Sequence, residues 1–268
     1  MGLRALAGAA LIAALGLTAQ AAPLRIATYS PDLSRDGPGL LLRDLGLSGK
    51  KADPQIAAVV RVIAEARPDI LLLTDFDWDY DGRALSAFNQ LLAQAGLDYP
   101  HLFSAQPNSG MATGLDLDGD GRLGDADDAQ GFGEFTGQGG MAILSRHPLG
   151  PVTDYSDALW RDQPQNLMPP MPEAVRAVRR LSSTGHWDAV VTVAGKPLHL
   201  LAMSATPPIF DGPEDLNGRR NHDELAFWLR HLPYAPFVLV GNLNMDPHDS
   251  EGRPQALAAI MAHVTDRK

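Results

Sequence analysis

Apolar and polar positions change period along the chain, and the changes outline alternating strands and helices. Residues 24–30 alternate and are rich in β-formers, which predicts a first strand. Asp53-Pro54 supplies a helix cap followed by proline at the first helical position, and Ile56, Val59, Val60 and Ile63 then recur at helical spacing until Pro68 ends the run. Residues 70–74 form a continuous apolar run, as in a strand buried on both faces. Leu85, Phe88, Leu91 and Leu92 mark a second helix closed by Gly96. Further strands are predicted at 140–145 and 237–241, and a hairpin from 189–193 and 198–204 around Gly195-Lys196. Asn221 and Glu224 are spaced as a capping pair opening a helix to Leu232, and a short helix spans 254–264. Residues 34–49 read as loop, 160–172 as irregular, and 107–140, rich in Gly and Asp, as a long functional loop. Strands alternating with helices give an α/β class, here as one domain over 22–268.

The first residues follow a different logic. Arg4 precedes an apolar run over 5–17, and Ala19-Gln20-Ala21 follows, which is the build of a secretory signal cleaved near Ala21. The run is short for a membrane span, and no other stretch qualifies. The expected location is therefore periplasmic or extracellular.

Composition narrows the function classes. Of 268 residues 45% are hydrophobic, enough for a sizeable core, and Gly and Pro stay under a fifth of the chain, which excludes collagen and low-complexity disorder. Cysteine is absent, so disulfides, thiolate metal sites and a cysteine nucleophile are excluded. A net charge of −10 argues against a broad basic nucleic-acid surface, though not against phosphate reached through a bound cation. Oligomeric state is not readable.

Several segments carry candidate chemistry. Asn242, Asn244 and Asp246 follow an apolar strand with period-two spacing, where ligands bind in α/β proteins, although Asn, Asp and Pro also build turns. Asp75, Asp77, Asp79 and Asp81 alternate with aromatic residues after another strand. Asp75 lies nearest the buried strand and is the best metal-ligand candidate, while Asp79 and Asp81 read as solvated loop. Asp116, Asp118 and Asp120 occupy positions one, three and five of a calcium loop, with Gly121 at six, Leu123 at eight and Asp127 at twelve. Aspartate at twelve is short for bidentate binding, and the Gly-rich flanks do not promise paired helices. Arg219 and Arg220 at a helix start form a candidate phosphate cradle, against the commoner reading of surface arginines at an ordinary cap. His186 and His199 fall in or near predicted strands, where a lone histidine is more often structural.

Residues 24–29, Arg67-Pro68-Asp69 with the strand after it, 140–146, and 237–244 together resemble the endonuclease/exonuclease/phosphatase superfamily, in the right order from Leu24 to about Val264. Thr206-Pro207-Pro208 through Glu224 resembles a secreted bacterial subgroup within it. The resemblance implies a four-layer α/β sandwich and phosphoester hydrolysis dependent on magnesium or manganese. It places the family's first-strand Asn on Ser30, its metal-binding Glu on Asp75, its catalytic His on Ser204 and its Gly-Asp-x-Asn aspartate on Asn242; Asn244 alone is retained. The closing strands, with their terminal Asp-His pair, have no counterpart before Lys268, which predicts an exposed sheet edge.

These substitutions predict a secreted phosphoesterase scaffold with a calcium loop and with impaired or absent hydrolysis. The alternative is an active divalent-metal phosphodiesterase or nuclease using Asp75, Asn244, Asp246 and one of His186 or His222. A third reading is a truncated product that folds poorly. The substrate, nucleic acid or small phosphoester, is open, because fold analogy does not choose among them.

Overall fold

In the strand Ile70–Phe76, Leu71 and Leu73 enter one apolar cluster while Ile70 and Leu72 enter another, so both faces of the strand are covered. The computed structural model describes residues 23–247 and 251–265. The expected signal segment lies outside them. In chain order the strands are β1 (Ile26–Tyr29), β2 (Ile70–Phe76), β3 (His101–Phe103), β4 (Gly140–Ser145), β5 (Leu149–Asp154), β6 (Gly185–Val193), β7 (Lys196–Ser204) and β8 (Phe237–Asn242). The helices are α1 (Leu40–Leu45), α2 (Pro54–Ala66), α3 (Arg83–Gln94), α4 (Glu173–Val178), α5 (Leu216–His231) and α6 (Gln255–Thr265).

Two mixed sheets result, in the orders β1-β2-β4-β3 and β5-β6-β7-β8. The pairs β1–β2 and β7–β8 are parallel and the other pairs are antiparallel. Period two sorts the side chains into layers. Leu71, Leu73, Ala142 and Leu144 pack under α1, α2 and α3. Ile70, Leu72, Met141 and Ile143 meet Trp187, Ala189, Leu200 and Ala202 between the sheets. Leu201 and Met203 face α5 and α6 on the far side. This is the four-layer α/β sandwich expected, and each fully buried Leu or Ile contributes about 1.5–3 kcal/mol to it.

Local signals account for several boundaries. Asp53 Oδ1 accepts from the amides of Gln55 and Ile56 at 2.8 and 3.0 Å, which opens α2 as the sequence predicts. The β6–β7 hairpin turns on Ala194 and Gly195, both at positive φ. Other expectations need correction. Residues 34–49 contain α1 rather than loop alone, and β3, β5 and α4 were not anticipated. Helix α5 begins at Leu216, so Asn221 and Glu224 are no capping pair; both are buried in mid-helix. Among the described residues β8 pairs with β7 alone.

Candidate active site

The parallel pairs β1–β2 and β7–β8 send their carboxyl ends into one cleft of about 900 Å³. Ser30, Asp75, Ser204, Asn242 and Asn244 all line it, so the five positions singled out at strand ends come together in space. Ser204 and Asn242 are register partners across β7 and β8. Gly241 precedes them at φ 143°, and a Cβ there would lie 1.8 Å from the Met203 carbonyl oxygen, so only glycine fits. Its amide donates to Thr28 Oγ1 at 3.1 Å, tying β8 to β1 beside the cleft. Asn244 sits at φ 48°, its amide donates to Asn242 Oδ1 at 3.1 Å, and its Nδ2 donates to the Ala205 carbonyl at 2.7 Å.

On the first sheet, β2 bulges between Leu73 and Phe76, and Asp75 takes φ 55°. The Leu33 amide donates to the Asp75 carbonyl at 2.9 Å, laying residues 32–35 along the strand end. Asp32, itself at φ 54°, brings its carboxyl within hydrogen-bonding reach of that of Asp75. Burial first, then Asp32 and Asp77, push the Asp75 carboxyl up to about 6. Gly139, at φ 57°, lets the main chain pass close; a Cβ there would stand 3.1 Å from Asp75 Oδ1. Asp77 lies behind. It accepts from Ser34 Oγ at 3.0 Å and from the amides of Arg35 and Gly139 at 2.9 and 3.0 Å, and burial raises its pKa against those bonds. Asp79 caps α3, accepting from the amides of Arg83 and Ala84. The four aspartates therefore do not share one strand face. Asp32 went unsignalled in the sequence; an acid three residues past a strand parallel to β2 was the available clue. Adjacent carboxylates beside amide and hydroxyl oxygens fit a hard dication such as Mg²⁺, which commonly takes one or two protein carboxylates and keeps its waters.

The long loop 107–139 lies against the cleft wall. Asn108, fully buried, donates from Nδ2 to the carbonyls of Ser156 and Ser182 at 2.6 and 2.7 Å. Within the loop Asp116, Asp118 and Asp120 bring carboxylate oxygens within 4.8 Å of one another. The amides of Gly119 and Gly121 donate to Asp116, and that of Asp120 to Asp118. Asp127 stands outside that triplet, but Asp118 and Asp120 are near enough, after burial, to help raise its pKa. Leu123 is 72% exposed and packs no core, unlike the apolar eighth position expected. Asp118 and Asp127 also reach the cleft wall.

Of the arginine pair Arg220 reaches the cleft wall and Arg219 does not, and both are engaged by main-chain carbonyls. Arg220 is buried and donates to the carbonyls of Leu181, Arg180, Ser182 and Gln130, while Arg219 donates to those of Glu214 and Leu167. These bonds stitch chain segments together. His186 is buried against Phe227 and Trp228, with Nε2 3.0 Å from the Glu224 carbonyl. His199 pairs with Asp188 at 2.8 Å and His222 with Asp223 at 3.0 Å. None of the three histidines lines the cleft. Arg179 does, and nothing in the sequence marked it.

Paired sheets between helical layers, with polar strand ends opening into one cleft, define the class of fold. The chain belongs to the endonuclease/exonuclease/phosphatase family, whose profile matches residues 42–262. Among solved structures it is similar to the endonuclease/exonuclease/phosphatase from Beutenbergia cavernae DSM 12333, with TM-score 0.54 and 19% identity over 89% of this chain and 53% of that one. This chain thus spans about half the length of that structure. An endonuclease/exonuclease/phosphatase family protein from Leptotrichia buccalis C-1013-b matches with TM-score 0.48 and 14% identity over 90% of this chain and 74% of that one. Sphingomyelinase C from Streptomyces griseocarneus matches with TM-score 0.44 and 20% identity over 89% and 68%. No curated protein matches the chain. Among the described residues no helix is long and apolar enough to cross a membrane.

Proposed function

We propose that this chain is an exported, phosphoester-binding member of its family whose hydrolytic step is impaired. One observation carries the reading: of the five strand-end side chains in the cleft, Asp75 alone can ionise to a carboxylate, and Ser30, Ser204, Asn242 and Asn244 are neutral. A magnesium or manganese ion held there by Asp75 and Asn244 would polarise a phosphoryl oxygen and acidify a bound water. Asn242 can orient a water but has no basicity with which to take its proton. Ser204 can donate a hydrogen bond but brings no positive charge to phosphate. Missing general acid–base help costs about 10²- to 10⁴-fold in rate. Export rests on the signal-like segment ending at Ala21. The loop from Asp116 to Asp127 is the proposed calcium site, supported by the three gathered carboxylates.

A second reading, an active enzyme with a rearranged site, is favoured by Asp75 itself, since a carboxyl raised to about 6 beside Asp32 suits proton transfer near neutrality. One assay separates the two. Purified protein is given plasmid DNA and a generic phosphodiester with magnesium, manganese or calcium. Impaired catalysis predicts turnover near the protein-free blank and unchanged by Asp75→Ala. Robust, chelator-sensitive turnover abolished by Asp75→Ala establishes the active enzyme instead. Calorimetry with calcium should give binding heat that Asp118→Ala and Asp120→Ala remove; a silent titration refutes the calcium site.

A further inference from the structure

Arg179 follows the last residue of α4 and is 6% exposed. Its backbone is fixed: the amide donates to the Val175 carbonyl and its own carbonyl accepts from the Trp160 amide, each at 3.0 Å. The next residue, Arg180, turns the other way and gives Nη1 to Asn108 Oδ1 at 2.8 Å. The Arg179 side chain makes no hydrogen bond or ion pair among the described residues, and its Nε is buried without an acceptor.

The charges around it deepen the anomaly. Arg220 lies near enough to add to desolvation in pulling the Arg179 pKa down to about 10. Glu224 offsets Arg220 and is itself engaged by the amides of Ser183 and Thr206 and by Ser183 Oγ. That leaves Arg179 as a largely buried cation at the cleft wall with no carboxylate offsetting its charge, an arrangement that desolvation strongly opposes. Two more buried polar atoms without partners, Thr74 Oγ1 and Thr206 Oγ1, belong to residues lining the same cleft. A guanidinium presents a planar fork of donors that matches phosphate oxygens in pairs.

We propose that Arg179 is the phosphate anchor of the cleft, its guanidinium gripping the non-bridging oxygens of a bound phosphoester. The assignment rests on the phosphoester-binding reading above but needs no turnover.

The test is phosphate binding without metal. The full chain, in EDTA, is titrated with inorganic phosphate and followed by thermal melting and calorimetry, for wild type, Arg179→Met and Arg179→Lys. A ligand bound only by the native state raises the melting temperature. Expected are a phosphate-dependent rise in wild type, at least a tenfold weaker response in Arg179→Met, and an intermediate one in Arg179→Lys. Without phosphate, Arg179→Met should melt at or above wild type, because it removes an unpaired buried charge; an arginine kept for packing alone predicts a lower melting temperature. An equal response in wild type and Arg179→Met, or none in wild type, overturns the anchor. If Arg179→Met does not fold, Arg179→Lys decides: weakened phosphate binding supports the anchor and undiminished binding overturns it. Robust phosphodiester turnover together with an Arg179-dependent phosphate response leaves the anchor standing and overturns the impaired-catalysis reading alone.

Discussion

The two sheets reach the cleft with the same kind of backbone and different charge. The first delivers Asp75 with Asp32 beside it and Asp77 behind, a concentrated acidic end. The second delivers Ser204, Asn242 and Asn244, all neutral. Both sides hold unusual main-chain conformations: Asp75 and Asn244 are left-handed, and Gly241 sits where no side chain fits. Non-glycine residues in such regions cost about 1–3 kcal/mol each and persist only where the surroundings impose them. On the reading proposed above, the strand ends of both sheets frame the site, and among them only Asp75 on the first sheet carries a carboxyl.

The sharpest way to break that asymmetry is to restore charge to the second sheet. Asn242→Asp combined with Ser204→His places a carboxylate and an imidazole at the paired ends of β7 and β8. Magnesium-dependent hydrolysis of a generic phosphodiester should rise by about 10²-fold or more, the usual contribution of a positioned acid or base. That corresponds to about 2.7 kcal/mol of barrier. Unchanged turnover in a folded variant would mean that the second sheet does not carry the missing function.

Removing charge from the first sheet should give a smaller effect, read in stability. The Asp75 carboxyl is pushed up to about 6, against an unfolded value near 4. Between those values the native state keeps a proton that the unfolded chain has released, so stability falls as pH rises from about 4 to about 6 and levels off above. Asp75→Asn abolishes that loss. In EDTA the variant should melt a few degrees above wild type at pH 7–8, at about 2–4 °C per kcal/mol for a chain of this size, and match it near pH 4. A variant that melts lower at pH 8 removes the argument that burial, aided by Asp32 and Asp77, opposes the Asp75 charge.

How much of this was legible depends on whether local pattern or tertiary placement decides a residue's role. The strand ends were readable because the apolar run at 70–74 reports burial directly and Asp75 and Asn242 stand where apolar strands stop, while Ser30 and Ser204 came from the family resemblance. Asp53 was readable because a cap acts within three residues. Asn221 and Glu224 misled because a capping pair and a mid-helix pair share the same spacing. Only the fold shows that Asn221 Nδ2 reaches the carbonyls of Thr206 and Leu243, and that Glu224 gathers the amides of Ser183 and Thr206. Asp32 and Arg179 were invisible for the same reason. Distant segments give each its surroundings.

The smallest expected effect at neutral pH tests the second sheet from behind. His186 is buried among Phe227 and Trp228, with Nε2 against the Glu224 carbonyl and Nδ1 without a partner. Burial foremost, with Arg220 and His231 adding to it, pulls its pKa down to about 4, although the bond to the Glu224 carbonyl opposes the shift. The unfolded histidine takes a proton near 6.5 while the native one stays neutral, so stability falls as pH drops from about 6.5 to about 4. That slope is opposite to the one Asp75 imposes. His186→Phe keeps an aromatic ring in the cluster and removes the titration. Urea melts between pH 4.5 and 8 should find the acid-side loss flattened, with a neutral-pH cost near 1 kcal/mol for the lost hydrogen bond. The double variant Asp75→Asn, His186→Phe should then show both slopes reduced relative to wild type. Persistence of the acid-side slope in His186→Phe would place its origin in other titratable groups.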